Sequence, residues 1–120
     1  MKITDSDTIA IRQTIESQLE AFQKDDTAGA FALASPEIQA QFRNPDNFMQ
    51  MVRLGYPSVY RPRSVFFEKI TTIHGKITQL VLLLGPDGVP VRALYLMEKQ
   101  LDTTWKINGC VLIPVEAEIN

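Results

Sequence analysis

Hydrophobic and polar positions between Ser64 and Val115 follow the pattern of four consecutive β-strands. The predicted strands are Val65–Ile73, Lys76–Leu84, Val91–Gln100 and Thr104–Val115. The links between them are short, with Gly75 and Gly88 in the first two. Links of this length join antiparallel neighbours, because a parallel crossover needs about a dozen residues. The sequence therefore predicts an antiparallel meander.

The two middle strands are apolar on both faces. Leu80–Leu84 is apolar at every position, and in the next strand Tyr95 and Leu96 point to opposite faces. Helices of the first half can cover only one face of such a sheet. Because large exposed apolar patches mark interaction sites, we expect a homodimer through the outer sheet face.

The first half shows helical periodicity instead. Apolar residues recur every three or four positions from Ile11 to Phe22, which predicts a long helix from Thr4 to Lys24, capped by Thr4 and Asp7. Three shorter helices follow, at about Thr27–Ala34, Pro36–Phe42 and Phe48–Leu54, with Asp26, Ser35 and Asn44 as capping residues. Gly55 suits a left-handed helix end.

Two prolines lie in the connector between helices and sheet, Tyr56–Arg63, and favour extended chain there. The expected organisation is one domain over residues 1–120, with helices at about 5–54, a connector at 55–63 and the sheet at about 64–116. In the last strand we expect Trp105 in the core and a bulge or bend at Gly109. The predicted fold class is α+β, with N-terminal helices packed on a curved antiparallel four-stranded meander.

Composition narrows the classes of function. The chain has 120 residues, 45% of them hydrophobic, which is ordinary for one globular domain. Its net charge of −2 argues against general nucleic-acid binding. No apolar run approaches the length that spans a bilayer, the first residues show no signal peptide, and the single cysteine excludes an intrachain disulfide. We expect a cytoplasmic protein with no membrane partner.

Isolated chemical groups give weak signals. Asp25 and Asp26 form either a carboxylate pair for acid–base chemistry or a helix exit followed by an N-cap, and the second interpretation is favoured. His74 at a turn is typical of a solvated residue, although histidine is a common general base. Cys110 in an apolar strand indicates a buried, unreactive thiol. Metal-ligand spacing and phosphate loops are missing from the sequence, so we predict no metal and no cofactor.

The connector is the best candidate for a binding site. It combines two tyrosines with arginines and lacks acidic residues, and the candidate ligand-binding residues are Tyr56, Tyr60, Arg61 and Arg63, with Arg53 nearby. Arginine matches carboxylate or phosphate groups, and tyrosine adds a flat apolar face. The alternative is that the arginines pair with surface acids and the tyrosines pack at the edge of the core.

The order of elements resembles the nuclear-transport-factor-2-like superfamily, also called the cystatin-like α+β cone. The resemblance covers nearly the whole chain and is carried by short motifs: Ile15-x-x-Gln18-Leu19-x-Ala21-Phe22-x-x-Asp25-Asp26-x-x-x-Ala30-Phe31, Ala34-Ser35-Pro36 and Trp105-Lys106-Ile107-Asn108-Gly109-Cys110. Other phrases, above all Tyr56-Pro57-x-Val59-Tyr60-Arg61-Pro62, resemble a small bacterial family of unknown function within it. The resemblance implies a pocket between helices and concave sheet, and frequent dimers.

That superfamily includes enzymes and binding modules, so the fold does not fix the function. No acid–base set of its isomerases and no paired histidines of its dehydratases match this sequence. We therefore predict a module that binds a small acidic or aromatic ligand or a protein partner. The alternatives are a cofactor-independent isomerase or cyclase that uses Tyr56, Tyr60 or His74, and a structural dimerisation unit without ligand.

Overall fold

The computed structural model describes residues 2–116. Five helices come first: α1 (Asp5–Gln23), α2 (Thr27–Ala32), α3 (Pro36–Phe42), α4 (Pro45–Gly55) and α5 (Pro57–Tyr60). Four strands follow: β1 (Ser64–Ile73), β2 (Lys76–Leu84), β3 (Pro90–Lys99) and β4 (Trp105–Pro114). The strands form one antiparallel sheet in the order β1-β2-β3-β4. The predicted α+β fold with helices on a four-stranded meander is confirmed.

Side-chain caps define the helix starts as the sequence indicates. Thr4 and Asp7 form a reciprocal capping box at α1, in which each backbone N–H reaches the other side chain at 3.1 Å. Asp26, Ser35 and Asn44 cap α2, α3 and α4 through backbone N–H groups three residues later. The local rules for capping therefore hold at four successive helices.

Two expectations for the connector are wrong. Tyr56–Arg63 is not wholly extended, because Pro57–Tyr60 forms α5, with the Arg61 N–H donating to the Pro57 carbonyl at 2.9 Å. Proline fits the first helical position, where its missing N–H has no intrahelical acceptor, so Pro57 starts this turn rather than preventing it. Gly55 is not a left-handed cap but the last residue of α4, and the glycines with positive φ are Gly75 and Gly88.

The core lies between the helices and one face of the sheet. Ile11, Ile15 and Phe22 from α1 are almost completely buried, as are Val81 and Ala93 from the sheet. Trp105 is 4% exposed, and its indole N–H donates to Asp7 Oδ1 at 3.3 Å, so its predicted place in the core is confirmed. This burial fixes which face of each strand points to the helices.

A bulge near Gly109 links the sheet to the helical layer. Leu96 pairs with Gly109 and Met97 with Ile107, which leaves Asn108 as the extra residue and confirms the predicted irregularity. Asn108 Oδ1 accepts a hydrogen bond from Ser35 Oγ at 2.6 Å. Because Ser35 also caps α3, this contact ties the start of α3 to β4.

The outer face of the sheet is largely apolar. In one cross-strand row Phe66, Leu82 and Ile113 flank Arg92, which forms a paired ion contact with Glu68 at 2.7 and 3.1 Å. Phe66 is 65% exposed. Helices cover only the other face of the sheet, among the residues described. Within residues 2–116, no helix has the length and apolar character needed to cross a membrane.

Candidate functional site

A cavity of about 420 Å³ lies between the helices and the β3–β4 half of the sheet. All helices except α2 contribute to its walls, and most of its lining is aliphatic or aromatic. The aromatic side chains that line it are Phe22, Phe42, Phe48, Tyr56 and Tyr95. Gln41 in the same lining is exposed, so the cavity opens to solvent. Its volume lies within the range of small-molecule sites.

The aromatic wall is held in place by ring packing. The Phe48 ring of α4 lies 6.2 Å from the Phe22 ring and 5.7 Å from the Phe42 ring, measured between centroids. Phe31 completes the group at 5.6 Å from Phe48. These distances are typical of favourable aromatic pairs. Three helices therefore contribute one packed aromatic surface to the cavity.

Two polar side chains in the lining have fixed orientations. Gln18 is only 3% exposed, and its amide Nε2 donates to the Ala30 carbonyl at 3.1 Å. The Tyr56 hydroxyl donates to the Cys110 carbonyl at 3.0 Å, across the cavity wall between the α4–α5 junction and β4. Burial raises the pKa of Tyr56, so its hydroxyl keeps its proton at neutral pH. Both groups are neutral.

Tyr95 and Cys110 lie side by side on β3 and β4, where they are cross-strand partners. The Tyr95 hydroxyl is fully enclosed and has no hydrogen-bond partner among the described residues. Burial raises the pKa of Cys110 to about 12, and it also raises that of Tyr95. The expectation of an unreactive Cys110 thiol agrees with this environment, because the reactive form of cysteine is the thiolate.

The cavity contains no carboxylate, imidazole, ammonium or guanidinium group among its described lining residues. A general acid–base pair needs two titratable groups within hydrogen-bond reach of a substrate. In the lining, the titratable groups are two tyrosines and one cysteine, and burial holds all three in their neutral forms. The arrangement therefore suits binding of an uncharged molecule better than proton transfer.

The predicted connector residues lie in different places. Tyr56 lines the cavity, whereas Tyr60, Arg61 and Arg63 are absent from its described lining. Tyr60 and Arg61 instead surround Asp25 at the end of α1, where the Tyr60 hydroxyl and Arg61 Nη2 contact the carboxylate, the latter at 3.2 Å. Arg63 is exposed, and its backbone N–H donates to the Leu84 carbonyl at 2.8 Å.

The Asp25 cluster anchors the short helix α5. Arg53 also reaches Asp25, at 3.2 Å, and Arg61 Nη1 donates to the Phe22 carbonyl at 2.5 Å. The hydrogen bond from Tyr60, followed by that from Arg53, lowers the pKa of Asp25. The cluster joins the exposed C-terminal end of α1 to α4 and α5, and so holds Tyr56 and Val59 in the cavity wall.

The remaining sequence candidates lie away from the cavity. Asp26 caps α2 through the Gly29 N–H at 3.0 Å, and Asp25 occupies the helix exit, so the favoured interpretation of this pair is confirmed. His74 is exposed in the turn before Gly75. Among residues 2–116, no group of three or more His, Cys, Asp or Glu side chains is placed to hold a metal ion.

Comparison with protein families gives a match over nearly the whole chain, at residues 4–119. The chain belongs to the family described as a domain of unknown function, DUF4864. Neither a search of curated proteins nor a search of solved structures found a match. For this member of DUF4864, the cavity and its chemistry are therefore the features that bear on function.

Sequence reasoning missed Gln18 as a site residue, although a signal was present. Gln18 lies three positions after Ile15 and four before Phe22, on the apolar stripe of α1. A polar residue on a buried helix face requires a partner, because an unpaired buried polar group destabilises the fold. Its partner, the Ala30 carbonyl, is twelve residues away and could not be assigned from the pattern.

Proposed function

We propose that this DUF4864 chain is a binding module for a small, uncharged and largely apolar molecule with an aromatic part. Its site is the cavity between the helices and the β3–β4 half of the sheet. Of the two ligand types predicted from the sequence, acidic and aromatic, the proposal keeps the aromatic one. It also places the chain among the nuclear-transport-factor-2-like cones, a placement supported by the order of elements and the bulged sheet under the helices.

One observation carries the proposal: a cavity of about 420 Å³ that opens to solvent while most of its lining is apolar. Water in a pocket of this size lies against apolar walls, which is unfavourable, because apolar surface gains free energy when it leaves water. A ligand that fills the pocket displaces that water. Buried Phe22, Phe48 and Ile107 supply apolar contact surface that a charged molecule would not use.

The neutral lining argues against an acidic ligand. Transfer of an unpaired carboxylate into an apolar site is strongly unfavourable, and no cationic side chain lines the described cavity to offset it. Arg61 lies outside the lining and is already paired with Asp25. We propose that Tyr56 contacts the ligand and that Tyr60 and Arg61 act by positioning α5. A ligand contact by Arg63 stays a prediction.

The experiment is calorimetric titration with two probes of similar shape, para-propyltoluene and para-propylbenzoate. We expect saturable binding of one para-propyltoluene per chain and much weaker binding of the carboxylate. Ile38→Trp places a large side chain at a half-buried position of the cavity lining. It should weaken para-propyltoluene binding by about tenfold or more, as expected for overpacking by a few kcal/mol.

Ile9→Trp is the matched control, since Ile9 lies on α1, is 59% exposed and is not part of the cavity lining. It should bind para-propyltoluene like the native protein. The proposal is wrong if the native protein does not bind para-propyltoluene, or if Ile38→Trp and Ile9→Trp bind it equally well. Stronger binding of para-propylbenzoate would contradict the neutral character of the site.

We also propose a homodimer through the outer sheet face. Support comes from the apolar rows on this face and from exposed Phe66, Val111 and Ile113. Charges of both signs, Glu68 and Arg92, lie within the patch, which lets a two-fold contact place opposite charges together. We expect Phe66→Glu to give a monomer in sedimentation velocity, whereas Leu101→Glu at a fully exposed turn should leave the dimer intact. A native monomer would contradict this proposal.

The rival proposal, an isomerase or cyclase, has one supporting contact. The Tyr60 hydroxyl meets a carboxylate, Asp25, within hydrogen-bond reach. That pair lies outside the described cavity lining, and both arginines beside it stabilise the carboxylate in its charged form. Binding without turnover therefore has the stronger support.

A further inference from the structure

Gln18 lies in the wall of the cavity, and only one of the four hydrogen-bonding positions of its amide is in use. Its Nε2 donates to the Ala30 carbonyl at 3.1 Å, which fixes the amide orientation, because only the nitrogen can donate to a carbonyl. Its Oε1 has no hydrogen-bond partner among the described residues. The side chain is 3% exposed, and Oε1 is not among the fully enclosed polar atoms that lack a partner, so this unpaired acceptor keeps a small accessible surface beside the cavity.

The two tyrosines of the lining differ in what they offer to a ligand. The Tyr56 hydroxyl donates its hydrogen bond to the Cys110 carbonyl, so toward the cavity its oxygen can act only as an acceptor. The Tyr95 hydroxyl lies beside the Cys110 thiol, is completely enclosed in the wall and does not reach the cavity. Gln41 adds an exposed amide, with two donors and an acceptor, at the open side of the lining. In the buried part of the lining, Gln18 Oε1 and the Tyr56 oxygen are therefore the acceptors that lack a donor.

We infer that the ligand carries an uncharged hydroxyl or N–H donor, and that Gln18 Oε1 accepts its hydrogen bond. This inference rests on the proposed function and names the chemical class of its ligand: a phenol, alcohol or amide joined to an apolar body. Esters, ketones and carboxylates offer only acceptors and leave Gln18 Oε1 unpaired. A buried group left unpaired weakens a complex more than a good hydrogen bond strengthens it.

The test compares two probes that differ in one group. para-Propylphenol and para-propyltoluene have nearly the same size, and only the phenol donates a hydrogen bond. Although the hydroxyl is the more strongly hydrated group, we expect calorimetric titration to show about fivefold to tenfold tighter binding of the phenol to the native protein. para-Propylanisole, which keeps the oxygen but lacks the donor, should bind no better than para-propyltoluene.

Gln18→Met keeps the length of the side chain and removes the acceptor. This variant should bind para-propylphenol and para-propyltoluene with equal affinity. Gln39→Met is the matched control. Gln39 also donates its Nε2 to backbone carbonyls, of Phe31 and Ala34 at 3.0 and 3.2 Å, and it does not line the cavity. It should keep the native preference for the phenol.

The outcomes separate this inference from the proposed function. If none of the three probes binds, the proposed function fails and the inference fails with it. If para-propyltoluene binds as tightly as para-propylphenol, the binding function stands and the donor inference is overturned. A Gln18→Met variant that retains the phenol preference also overturns it. If circular dichroism shows that this variant is unfolded, the three-probe comparison on the native protein decides alone.

Discussion

Replacing Trp105 with alanine tests whether the helical layer is held on the sheet as described. Trp105 is the first residue of β4, is 4% exposed and is the only tryptophan in the chain. Its indole contacts the α1 side of the core, and its Nε1 donates to Asp7 Oδ1 at 3.3 Å. Thr14 Oγ1 also reaches the Trp105 carbonyl, at 3.4 Å. The side chain thus connects α1 to the start of β4.

Two effects add up in the Trp105→Ala variant. Truncation of a buried aromatic side chain leaves a cavity and costs about 3–5 kcal/mol of unfolding free energy. Part of this comes from the lost hydrogen bond to Asp7, worth about 1 kcal/mol. Trp105→Phe separates the two contributions, because it keeps a ring in the core but has no N–H. We expect it to cost about 1–2 kcal/mol.

The assay is urea unfolding followed by far-ultraviolet circular dichroism, since both variants lack the only fluorescent indole. Leu101→Ala is the control, because Leu101 is fully exposed in the turn before β4, and it should change stability by less than about 0.5 kcal/mol. A loss below about 1 kcal/mol in Trp105→Ala would refute the assignment of Trp105 to the core and of this sheet face to the helices.

Two further predictions concern titratable groups. Hydrogen bonds from the Thr4 backbone and from Lys99 lower the pKa of Asp7 from 3.8 to about 2, so its contribution to stability is fully present above pH 3.8 and is lost as the pH falls toward 2. Acid titration of native protein should show this loss, and Asp7→Asn should lack that part of it; identical acid curves would contradict the contact. Cys110 is half-buried, and the removal of its thiol from water raises its pKa to about 12, so iodoacetamide should alkylate it much more slowly in folded than in urea-unfolded protein; equal rates would contradict this suppression of the thiolate.

The sheet could be predicted from the sequence because its signals are local. Turn residues and alternating side chains mark each strand within its own ten or so residues, and β2 matches its predicted bounds, Lys76–Leu84. Capping residues give the helix starts for the same reason. The short helix α5 was missed because Pro57 is compatible both with extended chain and with the first turn of a helix, and the choice depends on tertiary contacts made by Tyr60 and Arg61.

The site was harder to predict because a cavity between packed elements has no local sequence pattern. Gln18, Tyr56 and Cys110 are far apart in the chain and come together only when α1, the α4–α5 junction and β4 are packed. The clustering of Arg61 and Arg63 with tyrosines suggested a site for an acidic ligand. The acidic partner of Arg61 is Asp25, thirty-six residues earlier. Because the two residues are so far apart in the sequence, a local sequence pattern could not show that they pair.

The most direct test of the central claim is a heteronuclear NMR titration of uniformly ¹⁵N-labelled protein with para-propylphenol. We expect saturable shifts of the backbone amides of Gln18, Ile38 and Cys110 and of the Gln18 side-chain amide, with Val65 and His74 unchanged. Shifts confined to the exposed surface around Asp25 and Arg63, or no saturable shifts at all, would contradict binding in the cavity.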